Sequence, residues 1–352
     1  MILLFISSII YISCQKKEQD DPIPIERKNY AWACGSQDSS GVGTILFSAD
    51  GGKSWVRQAE ENPLLQGIDI TDIFAVDENH IWATGTQNTL LFTNDGGANW
   101  SKAHVPENSS NPDLICISVY NRQQLWISGD HGTVFSSNDN GLNWITYDSG
   151  FFQGGMMQGI YALNDQKVFV VGGVSDKLKN DRGFIGYTED GGANWDTTSL
   201  NNNYNRNEWI GVKAYKQTIV VYGSKSHYTY SLDGGQTWTN DSIDSSGGGG
   251  AADLNGLTMI DKDTWWGAFD MNQIYKTTDA GKNWLNQNTP VSGYFLLGID
   301  AYDNNLALSV GSNSSWPLQG TIIRTEDGKT WTEVFNSNIP LAAVSFIKKS
   351  ML

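Results

Sequence analysis

The 352-residue chain carries 38 acidic against 23 basic side chains, a formal charge of −15, with charged residues making up only 17%. That balance excludes nucleic acid and anionic membrane surfaces as partners, since both are held by clustered Lys and Arg. Apolar residues at 39%, including 14 Trp, supply a large core, and 38 Gly against 8 Pro mark a chain rich in turns.

Residues 2–13 form an apolar run that stops at Cys14. The run is too short to cross a bilayer as a helix and fits the core of a signal peptide, here 1–13. Ile12-Ser13-Cys14 resembles the lipobox of bacterial lipoproteins, which implies cleavage after Ser13 and lipid on Cys14. Residues 14–28 are polar and aperiodic and read as a flexible tether. The segment after Cys14 resembles the one found in surface-exposed lipoproteins of the Bacteroidetes. It implies an outer-membrane lipoprotein on the cell surface, with the periplasmic side as the alternative. Membrane contact is expected through the anchor alone. Cys34 and Cys116 fall in repeats that are not neighbours. A disulfide needs Cα atoms within about 7 Å, so two separate buried thiols are expected.

From residue 29 onward one turn signature recurs seven times: SADGGKSW (48–55), TNDGGANW (93–100), SNDNGLNW (137–144), TEDGGANW (188–195), SLDGGQTW (231–238), TTDAGKNW (277–284) and TEDGKTW (325–331). The last copy is one residue shorter, which predicts a tighter turn. Ser or Thr and Asp close such a turn by bonding nearby N–H groups, Gly supplies φ > 0, and Trp packs between sheets. Around each turn four short strands alternate, a unit of about 45 residues that matches the blade of a β-propeller. The first unit starts at its second strand, Tyr30–Gly35, and the chain finishes with the strand-like run 341–347. The expected fold is therefore all-β: a seven-bladed propeller over 29–350, four antiparallel strands per blade, closed by 341–347 joining the first blade.

The turn S/T-x-D-x-G-x-x-W is identified as the Asp-box, or BNR repeat, carried by Asp50 and Trp55, Asp95 and Trp100, Asp139 and Trp144, Asp190 and Trp195, Asp233 and Trp238, Asp279 and Trp284, and Asp327 and Trp331. Asp-boxes occur in sialidases, xyloglucan-cleaving glycosidases, sortilin-type receptors and photosystem II assembly factors. Seven boxes with a W-x-x-G second strand in a single propeller resemble the Ycf48/Hcf136-like assembly factors. That resemblance, joined to the lipobox, implies a non-catalytic binding or assembly scaffold at the cell envelope. A glycan-binding protein or a glycoside hydrolase of the Asp-box type is the alternative.

Enzyme readings find little support in the residues. A sialidase site needs three Arg on one face, and only Arg182 and Arg206 fall on the face opposite the boxes. A glycosidase pairs two carboxylates about 5–9 Å apart; Asp130, Asp176, Asp253 and Asp270 are loop acids that read more simply as solvated. The four His (80, 104, 131, 227) make no metal-ligand spacing. Neither a metal nor a cofactor is expected.

Topology places the first-to-second strand turns and the boxes on one face, and the variable loops 36–43, 103–113, 148–158, 173–183, 239–253 and 312–320 on the other. Variable loops on a rigid scaffold concentrate binding. Phe151, Phe152, Met156, Met157, Trp209 and Trp316 supply apolar anchors there, beside Lys177, Lys179, Arg182 and Arg206. Alternatively, Phe152 and the methionines plug the channel or pack under a loop, and Trp209 belongs to an inner strand. The expected partner is another envelope protein, with a glycan as the alternative, and the chain is expected to be a monomer.

Overall fold

The computed structural model describes residues 29–107, 110–147, 152, 154–176, 180–197, 209–243 and 252–347, with the backbone alone for 174–176 and 180–182. Cys14, the signal segment and the tether lie outside these residues, as do Phe151, Lys177, Lys179 and Arg206.

Seven four-stranded antiparallel sheets form the blades, each running from an inner strand at the channel to an outer strand at the rim. The inner strand of blade 1 is Leu341–Phe346, paired antiparallel with Ala31–Gln37. The last strand thus completes the first blade and leaves the ring without an open seam. The inner strands of blades 2 to 7 are Ile70–Ala75, Leu114–Tyr120, Gly155–Ala162, Trp209–Tyr215, Leu254–Met259 and Tyr294–Ala301. Segment 173–183, expected as a loop, is mostly strand: Val168–Asp176 and Asn180–Thr188 extend as one hairpin.

The hydrophobic core divides into seven clusters, one at each seam between neighbouring blades. Aromatic rings bind the seams. Trp195 of blade 4 meets Trp126 of blade 3 edge-on at 6.0 Å, and Trp331 of blade 7 meets Trp266 of blade 6 at 5.7 Å. Burying such rings contributes on the order of 2–3 kcal/mol each.

Nearer the axis, every seam is also latched by hydrogen bonds from one blade to the next, six of the seven seams from an inner strand and the seam of blades 5 and 6 from the second strand of blade 5. Ser345 accepts from Ala75 N at 3.1 Å, Asp72 from Ile117 N at 3.0 Å and Ser118 from Ala162 N at 3.0 Å. Tyr161 donates to Ala214 O at 2.9 Å, and the Tyr222 hydroxyl bonds the backbone of Leu257. Thr258 donates to Asp300 at 3.0 Å, and Asp300 accepts from Phe346 N at 2.8 Å, holding the closing strand.

Each inner strand also carries a β-bulge at the same place in its pairing with the second strand. In every blade but the sixth, where Phe269 stands, a glycine of the second strand at that point leaves room for it. A Cβ on Gly85 would stand 2.8 Å from Asp69 O, and one on Gly311 2.1 Å from Phe295 O. A bulge leaves one residue unpaired and re-aims it.

The boxes behave as their chemistry requires. At Asp95, Thr93 Oγ1 donates to Oδ1 at 2.7 Å, and Asn99 donates its backbone N–H to Oδ1 and its amide to Oδ2 at 2.9 and 2.8 Å. Ser54, Asn143, Asn194, Thr237 and Asn283 repeat this second contact. The short seventh box closes tighter, with the Gly328 N–H on Thr325 Oγ1 at 3.0 Å.

Asp300 is buried and is shared by two blades. Asp300→Ala leaves the Phe346 N–H and the Thr258 hydroxyl without their acceptor, and is expected to cost about 2–4 kcal/mol by urea unfolding. Box carboxylates set the acid limit. Asn99 (side chain, then backbone) and Thr93 hold Asp95 at about 2, and Thr237 and Ser231 hold Asp233 at about 2. At Asp50 burial pushes upward but is outweighed by Ser54, Ser48 and Lys53 N–H, leaving it at about 2. These groups bind fewer protons folded than unfolded, where carboxylates titrate near 3.9. Their stabilisation is complete above about pH 4 and is lost as the pH falls through about 2. Urea midpoints across this window should fall less steeply for Asn99→Ala than for the parent.

Candidate functional site

The face opposite the boxes is built on tight turns in four blades and longer connections in the rest. Between second and third strands, Gln87-Asn88, His131-Gly132, Lys225-Ser226 and Met271-Asn272 each place two consecutive residues at positive φ, as a two-residue hairpin turn requires. The first residue of each pair is exposed, so Gln87, His131, Lys225 and Met271 are presented at equivalent points around the ring. Met271 at φ 58° lies in a region that suits Gly or Asn far better.

An acid before the inner strand secures these turns. Asp69 Oδ1 accepts from Gln37 N at 2.9 Å, Asp113 Oδ1 from Gln87 N at 2.9 Å and Asp253 Oδ1 from Lys225 N at 2.8 Å, in each case from the preceding blade. The acids weighed as a glycosidase pair are engaged in the same scaffolding. Asp130 accepts from Asp113 N at 2.8 Å, and Asp270 accepts from the Asn255 amide at 2.7 Å. Burial, with the charge of Asp253 adding to it, pushes Asp270 above the usual carboxylate range despite that bond. The Asp176 side chain is outside the described residues.

Three of the expected binding residues are core. Phe152 and Met157 are completely buried in the seam between blades 3 and 4, where Phe152 meets Trp195 edge-on at 5.1 Å. Trp209 is buried in the seam between blades 4 and 5. None can anchor a partner, because each already fills the space between two sheets. Arg182 sits opposite Val174 in the extended hairpin of blade 4.

Of the expected anchors Met156 is exposed in blade 4, and Trp316 stands free, at 88% exposure. It does not stand alone. Met271, Phe295, Leu297 and Leu318 are exposed on the same face in blades 6 and 7. Tyr294 ties the group together: its backbone exchanges hydrogen bonds with Asn272, and its hydroxyl reaches Gln319 at 3.4 Å. Leu297 faces outward because it is the bulge residue of its strand, between Leu296 and Gly298. Other exposed large apolar residues are scattered singly, apart from Met156 in boxes or on outer strands (Val56, Leu142, Ile145, Leu232, Leu285). A polar cleft of about 590 Å³ lies in another sector, lined by Gln87, Asn88, Lys102, His104 and Glu107 among others.

The channel holds a charge cluster. Burial pulls Lys213 down, yet Tyr222, Cys116, Asp72 and Asp300 together keep its ammonium above its usual range. Burial first, then the charge of Asp72, pushes the Cys116 thiol up to about 12, so it is no nucleophile. Both Cys34 and Cys116 are free. Among the described residues no group of three His, Cys, Asp or Glu is arranged to hold a metal.

The profile of the DUF6242 beta-propeller domain matches residues 25–246, well over half of the chain. The chain belongs to the DUF6242 β-propeller family. No curated protein matches its sequence. In fold, this DUF6242 propeller is similar to YCF48 from Cyanidioschyzon merolae, at 19% identity and TM-score 0.58 over 86% of this chain and 88% of the other. YCF48 bound to D1 peptide is similar at 20% identity and TM-score 0.55, over 75% and 80%. The GH74 xyloglucanase of Xanthomonas campestris matches at 14% identity and TM-score 0.58, covering 92% of this chain but 53% of its own. These likenesses show a shared propeller fold.

Backbone and patch can be separated at Met271. Met271→Gly removes the side chain and relieves the left-handed backbone, so stability should hold or rise by up to about 1 kcal/mol. Met271→Val, β-branched at the same φ, should lower it by about 1–2 kcal/mol. Urea midpoints of the two variants check both signs.

Proposed function

We propose that this propeller is a non-catalytic, lipid-anchored docking scaffold of the bacterial cell envelope. Cys14 holds it to the outer membrane, and the loop face of blades 6 and 7 binds another envelope protein. The observation that carries the reading is the group of exposed apolar residues Met271, Phe295, Leu297, Trp316 and Leu318, gathered on the loop face of blades 6 and 7 around the hydrogen bonds of Tyr294, on an otherwise acidic, polar molecule. Exposed apolar patches centred on aromatics are where protein partners gain most of their affinity. The YCF48 propeller bound to D1 peptide lends support, since it is a protein of this fold that holds a peptide. The GH74 likeness and the free Trp316 ring favour a glycan as the second reading. Against hydrolysis stands the engagement of Asp130 and Asp253 by backbone N–H groups.

A photo-crosslinking residue at position 316 should give one discrete protein adduct in intact cells, and the same residue at Leu142 on the box face should give none. Equal labelling from both positions, or capture of a glycan array by the purified protein, contradicts the reading. Cys14→Ser should move the protein from the membrane fraction to the soluble fraction; continued membrane association contradicts the anchor.

A further inference from the structure

Outer strands are where a propeller is exposed to unwanted pairing, because each presents a row of unpaired N–H and C=O groups. Among the described residues, the outer strands of blades 1 to 6 are two to four residues long: Val56–Gln58, Ser101–Lys102, Ile145–Thr146, Asp196–Thr197, Thr239–Ser242 and Leu285–Gln287. Blade 7 departs from this rule. Its outer strand Trp331–Ser337 runs for seven residues, and among the described residues no strand pairs with its outer edge.

This edge is not blunted as edges usually are. It holds no proline and one charged residue, Glu333, whose Oε1 is occupied by Thr321 Oγ1 and the Asn336 amide, both at 2.9 Å. One bulge, at Val334, interrupts its pairing with Gly320–Thr325. Its far end reaches the apolar patch: Ser337 pairs with Gly320, which follows Trp316 and Leu318, and the Asn336 amide donates to the Tyr294 hydroxyl at 3.1 Å. A long free edge and a cluster of exposed apolar side chains are therefore continuous.

We infer that blade 7 binds its partner by strand addition: an extended, basic and apolar segment of another protein pairs with Trp331–Ser337 as a fifth strand and sets an apolar side chain against Trp316. Strand addition draws affinity from main-chain hydrogen bonds and selectivity from alternate side chains. The expected basicity follows from the charge facing the edge. Glu326 is paired with Arg324 at 2.8 Å and Lys53 at 3.7 Å, which leaves Asp327 and Glu333 exposed along this hairpin against Lys329, within a chain of net charge −15. The same charge opposes edge-to-edge pairing of two copies. This inference rests on the docking role proposed above and names how the partner is held.

The test is amide hydrogen exchange on the folded protein with three blocked ten-residue peptides: alternating Val and Lys, the same with Glu for Lys, and the Val/Lys peptide with a central Pro. The Val/Lys peptide should slow exchange in 331–337 by about tenfold or more, with the effect fading at high salt, and the other two should leave it unchanged. Glu333→Lys should exchange the preference toward the Glu peptide. Val334→Pro should abolish protection while lowering the unfolding midpoint only by what the lost packing of Val334 on the blade 7 and blade 1 core costs, which Val334→Ala, expected to keep the protection, measures separately. No slowing in 331–337 with any peptide overturns the inference. Protection confined to Met271 and Phe295 overturns the edge assignment but leaves the docking face standing. Slowing of 331–337 that grows with protein concentration alone, with a doubled mass, assigns the edge to a second copy and overturns the inference as well.

Discussion

A propeller blade cannot stand alone, since both faces of its sheet are apolar and its inner strand has no neighbour of its own. What makes seven such units one body is the ring of hydrogen bonds around the channel, handed from one blade, mostly from its inner strand, to the backbone or side chain of the next. Asp300 is its most demanding member: a carboxylate with 3% exposure that accepts from blade 6 and from the closing strand of blade 1. A buried acceptor of this kind costs free energy unless fully bonded, and it favours one register of closure over others. Lys213, on the inner strand of blade 5, brings a positive charge that acts on Asp72 and Asp300.

Outward from that ring, the work is divided between two faces. On the box face, each Asp closes its own turn within eight residues of chain, and the adjoining Trp lies over the neighbouring seam. On the loop face, Asp69, Asp113 and Asp253 hold the turn of the preceding blade. Acidic side chains thus serve mostly as acceptors for backbone N–H groups. The strong negative charge of the chain is partly a consequence of its architecture, and in blades 6 and 7 the loop face is left with exposed apolar side chains.

The fold was legible because the Asp-box is local: its hydrogen bonds join residues two to four apart, so seven copies reveal blade number and phase. The acceptor's second partner, such as Asn99 or Thr237, was equally readable as a recurring Asn, Ser or Thr before each Trp. The latches were not, because Asp72 and Ile117 are 45 residues apart and only the finished ring brings them together. The same is true of the site. Phe152, Met157 and Trp209 look like misplaced apolar residues in polar stretches, yet they fill seams between sheets. Leu297 looks like core and is turned out by a bulge that depends on Gly311 in the next strand. Trp316 was recognisable because a large ring in a Ser- and Pro-containing connection has nothing local to pack on.

One sector of the loop face, centred on Tyr294, is the proposed seat of a protein partner. Hydroxyl-radical footprinting of the complex isolated from native membranes measures this most directly, because Trp and Met side chains report their own exposure. Oxidation of Trp316 and Met271 should fall several-fold in the complex relative to the free protein, while exposed Met156 on the same face keeps its free rate. Unchanged oxidation of Trp316 and Met271 in a complex that remains intact would contradict it.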